Sequence, residues 1–122
     1  MSLIVPASRF ALVGIAATLL HITLAIFLIE KLALSPGAAN GIAYVLANMV
    51  SYIANTQWSF KSQLGLETWG RFVAVSAFAW GLTVGIASAV DRLGGHYLLG
   101  IGLVVSLVPV LSFFAHRCFT YR

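Results

Sequence analysis

Four stretches of this chain, over about residues 10–29, 38–55, 72–90 and 98–114, are strongly apolar and contain no Asp, Glu, Lys or Arg. Each is close to the ~20 residues that an α-helix needs to cross a ~30 Å hydrocarbon layer. Backbone polar groups find no water in lipid, so such segments must satisfy them internally, as helices do. Only 8% of the 122 residues are charged. A soluble domain carries about 25%, so this chain lacks the means to cover a globule with a wettable surface. With 61% hydrophobic residues it is equally unlike a disordered segment. The expectation is an all-α membrane protein, one transmembrane domain over 1–122, with helices at about 10–32, 37–60, 70–92 and 97–117.

The segments also come in pairs. Residues 51–60, Ser-Tyr-Ile-Ala-Asn-Thr-Gln-Trp-Ser-Phe, align with 112–121, Ser-Phe-Phe-Ala-His-Arg-Cys-Phe-Thr-Tyr, at an offset of 61. The same offset of 61 carries Glu30-Lys31 onto Asp91-Arg92, and an offset of 62 carries Arg9-Phe10 onto Arg71-Phe72. This predicts two tandem helical hairpins, an internal parallel repeat of about 9–61 and 71–122. Hairpins that each cross twice keep one orientation, which gathers the duplicated polar ends on one side. Ser35-Pro36-Gly37 separates the first pair of helices, with Pro suited to a first helical turn. Gly94-Gly95 breaks the second pair, and Pro109 predicts a kink in the fourth segment. No positive charge precedes Arg9 and the first apolar run is long for a signal peptide, so it reads as a retained helix.

The net charge is +4, but the seven Lys and Arg residues stand singly at segment ends. That pattern argues against nucleic acid and for membrane topology and contact with lipid headgroups. Arg9, Lys61, Arg71, Arg117 and Arg122 share one side, whereas Lys31 and Arg92 share the other, each beside an acidic residue. The excess places both termini in the cytoplasm. Trp58, Phe60, Trp69, Phe119 and Tyr121 then form an aromatic belt there. Cys118 is the single cysteine, which excludes an internal disulfide and a cysteine metal cluster. Nothing calls for a metal or a cofactor.

Polar groups within the apolar segments are the candidates for function. At 100° per residue, Asn40, Tyr44, Asn48, Ser51, Tyr52 and Asn55 fall on about one third of the second helix, over ~22 Å of rise. Such a stripe faces either a neighbouring helix or a path for something polar, and both readings stand. Gly37 and Gly41 share the arc in a G-x-x-x-G spacing that suits a close helix seam. Gly81 and Gly85 repeat that spacing in the third segment, where packing is the expected role. His21, mid-segment, is either a polar relay or a neutral side chain bonded to the next helix. Arg9, Arg71 and Arg117 serve topology, or clamp a phosphate through their forked guanidinium groups. The sequence has no nucleotide loop, no H-E-x-x-H, no G-x-S-x-G and no paired intramembrane carboxylates, so it does not read as an enzyme.

Taken in order, these features resemble the GtrA-like family of small four-helix membrane proteins. Its R-F-x-x-V-G opening is matched by Arg9-Phe10-Ala11-Leu12-Val13-Gly14. Its F/Y-x-x-N-R-x-W-T-F closing motif is matched by Tyr52-Ile53-Ala54-Asn55-Thr56-Gln57-Trp58-Ser59-Phe60. A second opening stands at Arg71-Phe72 and a divergent second closing at Phe113-Phe114-Ala115-His116-Arg117-Cys118-Phe119-Thr120-Tyr121. Thr56 replaces the motif's Arg, and His116 replaces its Asn. The resemblance implies translocation of a polyprenyl-phosphate-linked sugar across the bacterial inner membrane, for O-antigen, teichoic acid or another surface polysaccharide. Membrane glycosyltransferases would load the lipid and use the sugar. Arg9, Arg71 and Arg117 would then take the phosphate. Asn55, Trp58 and His116 would meet the head at its point of entry, and Tyr44, Asn48, Ser51 and Tyr52 would line the route. A homo-oligomer joined through the glycine seams would widen that route. One alternative is a non-transporting anchor for a glycosyltransferase. Another is a small multidrug-type exporter, although such proteins place an essential Glu within the first span and the apolar span over 10–29 here holds no carboxylate.

Overall fold

The computed structural model describes residues 4–59, 66–115 and 118–119. It contains four α-helices: α1 Ile4–Leu32, α2 Pro36–Ala54, α3 Leu66–Arg92 and α4 Tyr97–Ala115. A π turn, Asn55–Ser59, extends α2. The order and type match expectation, while α1 and α3 start several residues earlier than predicted. Pro6 falls in the first turn of α1, where a missing N–H costs nothing. No proline interrupts the lead-in to α3, and Gly70 alone does not stop it.

The turns follow from local chemistry. Ser35 caps α2 by accepting a hydrogen bond from Ala38 N at 3.3 Å, and Pro36 opens the helix. At the end of α3, Gly94 adopts φ 82° and donates to Asp91 O at 3.1 Å, while Gly95 donates to Val90 O at 2.8 Å. This crossed pair is the Schellman arrangement, which pairs carbonyls left over at a helix end. A Cβ on Gly95 would lie 2.8 Å from Val90 Cγ1, so this position also stays glycine. His96 caps α4, its Nδ1 accepting from Leu98 N at 3.1 Å.

α2 is the middle element. It packs against α1 on one side and α3 on the other, and α4 lies mainly on α3. Small residues permit the close approach. Ala25, Ala43 and Ile101 form one buried cluster, and Ala79, Val104 and Val108 another. Gly37 and Gly41 sit in the α2–α3 seam, where added Cβ atoms would come 2.3 Å from Ser88 Oγ and 2.9 Å from Val84 Cγ2. Gly81 and Gly85 differ: each is exposed, and a Cβ there would meet nothing within 4 Å. The packing expected of them therefore does not occur among the described residues. The tip of α1 joins the start of α4 through a hydrogen bond from the Tyr97 hydroxyl to Glu30 Oε1.

Large apolar side chains cover the outside, among them Leu19, Phe27, Phe78, Val110 and Phe114. Two spans, Ser8–Leu32 and Trp69–Arg92, are long and apolar enough to cross a membrane. α2 carries Asn40 and Asn48 and is more polar, while the apolar part of α4 is shorter, Tyr97–Ser112.

Candidate functional site: the groove between α2 and α3

The polar stripe of α2 divides between two neighbours. Asn40 is fully buried and turns to α1, where its Oδ1 lies 2.9 Å from His21 Nε2; His21 is only 4% exposed. Asn40 Nδ2 also donates to Pro36 O at 2.9 Å. An amide does not titrate, so this pair fastens α1 to α2, and it stands apart from the rest of the stripe. Asn48 points the other way and donates through Nδ2 to Ser76 Oγ on α3 at 2.9 Å. The Tyr44 hydroxyl faces Ser76 and Ser112. Three helices thus contribute to one polar cluster.

That cluster forms the back of a hollow of about 650 Å³ between α2 and α3. Asn48, Tyr44 and Ser76 line it together with Met49, Val73 and Trp80. Val45, Met49, Ile53 and Val73 at its rim are roughly half exposed, so it opens sideways from the bundle. Its volume lies within the ~300–1,000 Å³ of small-molecule sites, and so does its chemistry of apolar walls with few polar groups. A second hollow of about 760 Å³ continues toward the Ser35 end, lined by Gly37, Gly41, Val84 and Ser88. Val45 and Trp80 border both.

Aromatic rings close the opposite end. Tyr52 packs on Phe72 at 4.2 Å and on Trp69 at 5.2 Å between centroids. Arg71, half-buried and just before Phe72 on α3, lies 5.8 Å from the Phe119 ring. Arg9 of α1 donates to Trp58 O at 3.1 Å and sits 5.0 Å over its indole ring. A guanidinium against the carbonyls at a helix end offsets the negative pole of that helix. The π turn makes this contact by carrying Trp58 toward α1. Ser51 and Asn55 bond to each other, Asn55 Nδ2 donating to Ser51 Oγ at 3.1 Å, with Asn55 buried.

Of the candidate residues, Tyr44, Asn48 and Tyr52 therefore meet at one groove. Asn55 and Trp58 belong to the π turn, with Arg9 beside them. His21 lies on the other flank of α2. His116 and Arg117 lie outside the described residues. Sequence reasoning missed Ser76 and Trp80. Ser76 is one small polar residue in an apolar run and gives little signal, whereas a tryptophan halfway along a spanning segment is a signal that was there to use.

The arrangement can hold an amphiphile. It offers cations and rings at one end, a lateral opening, and a few hydrogen-bonding groups along a mostly apolar wall. None of the curated proteins and none of the solved structures matches the chain. Residues 9–121 match the family described as GtrA/DPMS, transmembrane domain, which covers the paired motifs and all the elements of the groove. The chain belongs to the GtrA/DPMS transmembrane-domain family.

Proposed function

We propose that this protein moves a polyprenyl-phosphate-linked sugar between the two leaflets of the bacterial inner membrane, along the α2–α3 groove. The observation that carries this reading is Asn48 paired with Ser76 inside a hollow that opens sideways from the bundle. The isoprenoid tail of such a lipid is already soluble in hydrocarbon. Only the charged, hydroxyl-rich head resists crossing, because its burial without partners is costly. The chain needs to supply only a short polar side to an otherwise greasy passage.

In this mechanism both hairpins span the membrane with their termini in the cytoplasm. Arg9, Arg71 and Arg117 attract the phosphate at the cytoplasmic end. Tyr52 and Trp69 offer ring faces to the sugar, and Asn48, Tyr44 and Ser76 exchange hydrogen bonds with it during passage. No covalent step is required of the chain. A site that binds equally well from both sides drives nothing, so direction comes from a glycosyltransferase that consumes the sugar outside.

The test is a liposome assay with fluorescent polyprenyl-phosphoryl sugar. Purified protein speeds the exchange of label between leaflets, and the double variant Arg71→Ala/Asn48→Ala slows it at least tenfold. Exchange that is unchanged in the double variant rejects these assignments. A second reading, an anchor for a glycosyltransferase, is favoured by Gly81 and Gly85, whose open faces on α3 suit another helix. Co-purification of such an enzyme with a chain that leaves the labelled lipid unflipped would select it.

A further inference from the structure

Trp80 stands in an unusual place for its chemistry. It is 11 residues from Trp69 and 12 from Arg92, which puts it ~16–18 Å along α3 from either end of the apolar span Trp69–Arg92. Tryptophan in membrane proteins collects at the two interfaces, where the ring stays in an apolar layer and the N–H reaches water or headgroups. Midway along α3 it reaches neither. The indole N–H donates to no group among the described residues. Trp80 is 45% exposed, yet it borders both hollows of the groove. It is not spare lipid-facing bulk.

The opposing wall fits this position. Nε1 of Trp80 would lie 3.1 Å from a Cβ on Gly41, with Val84 Cγ2 at 2.9 Å. Glycine at 41 leaves the ring room against the backbone of α2. The two hollows meet where Trp80 and Val45 face each other's helix, so a head passing from one hollow to the other passes the indole. In hydrocarbon, a donor without an acceptor is costly, and it is relieved when a ligand brings one.

We infer that Trp80 is a mid-groove binding station for the sugar ring of a lipid-linked sugar, donating its indole N–H to a ring hydroxyl while the apolar face of the sugar packs on the indole. The inference rests on the proposed translocation reading for the identity of the ligand. The isoprenoid chain has no acceptor to offer. The phosphate finds its cations at the other end of the groove, around Arg9 and Arg71. The sugar alone combines oxygen acceptors with an apolar C–H face, the two things that an unpaired indole can use.

Two measurements test it. The protein has three tryptophans, so labelling with 5-fluorotryptophan and recording fluorine NMR in nanodiscs gives three resonances, with Trp80 assigned by its loss in Trp80→Phe. The Trp80 resonance moves on adding polyprenyl-phosphoryl sugar and does not move with polyprenyl phosphate lacking the sugar. In the liposome assay Trp80→Phe, which keeps a ring and removes the donor, slows exchange about tenfold, the scale of one lost hydrogen bond. Gly41→Ala, which crowds the ring, slows it as well, and Phe78→Leu on the lipid-facing side leaves it unchanged. The inference is overturned if the Trp80 resonance ignores the sugar, or if Trp80→Phe exchanges lipid at the wild-type rate. A wild-type chain that moves the resonance but flips nothing rejects translocation and retains the station.

Discussion

At the scale of the residue, the informative comparison is between Asn40 and Asn48. They lie eight positions apart on α2, which is about 80° of rotation. Both fall on the arc that a helical wheel picks out as one stripe. With α2 between two neighbours, 80° is enough to send Asn40 to His21 on α1 and Asn48 to Ser76 on α3. The stripe was legible in the sequence, and so was the bonded histidine. The division of the stripe was not, because a single helix carries no information about how many partners flank it. Removing one partner of the buried pair leaves the polar atom that faced it unpaired, at ~1–3 kcal/mol in water-soluble proteins. Interhelical bonds in lipid average nearer ~0.6 kcal/mol, since the unfolded chain in the membrane also finds partners. The expected cost of His21→Leu is therefore about 1 kcal/mol. Asn40→Leu costs more, because Asn40 also holds Pro36 O. His21→Leu/Asn40→Leu costs less than the sum, since it leaves no orphan across the seam. Unfolding in mixed micelles with rising dodecyl sulfate measures all three, and strict additivity would show the two side chains to be uncoupled.

At the scale of the element, the two hairpin turns solve one problem with different residues. Each requires a left-handed backbone position just after a helix end. The second uses Gly94, at φ 82°, and the first uses Ala33, at φ 55°. A Cβ in that region costs ~1–2 kcal/mol. Replacing alanine by glycine gives back ~0.4–1 kcal/mol through the freer unfolded chain. The balance predicts opposite signs for mirror-image substitutions. Ala33→Gly stabilises, and Gly94→Ala destabilises, each by roughly 0.5–1 kcal/mol. The same micelle titration decides between them, and equal signs would contradict the geometry. Gly94-Gly95 announced its turn from sequence, whereas nothing in Leu32-Ala33-Leu34 did, because alanine signals helix. The cap on α4 was hidden for a related reason. Histidine seldom serves as an N-cap, yet His96 Nδ1 takes the amide of Leu98. Loss of that acceptor in His96→Ala costs about 1 kcal/mol, and His96→Asn restores most of it, because Asn is among the preferred caps.

At the scale of the whole molecule, the four apolar segments located every helix, because a chain so poor in charge leaves its few polar clusters as the only places to turn. What the sequence carried less clearly was the groove. Its walls are Val45, Met49, Ile53 and Val73, which are indistinguishable by composition from residues that face lipid. A groove is a relation between two helices, and only their crossing creates it. Orientation is where the sequence alone still bears the argument, through five cations against two. The positive side of a membrane protein tends to remain in the cytoplasm, so the proposed orientation puts the Arg9–Arg71 end inside and the Gly94 turn outside. Two exposed positions are suited to reporting this. Cys118 is the native thiol and lies near the arginine end. Leu93, 87% exposed, sits in the turn at the far end. With a membrane-impermeant maleimide on intact spheroplasts, the wild-type chain stays unlabelled until the membrane is opened. Leu93→Cys in a Cys118→Ser background is labelled at once. Labelling in the reverse order would turn the bundle over. It would place the arginines on the outer face and make them a site for releasing the lipid-linked sugar instead of capturing it.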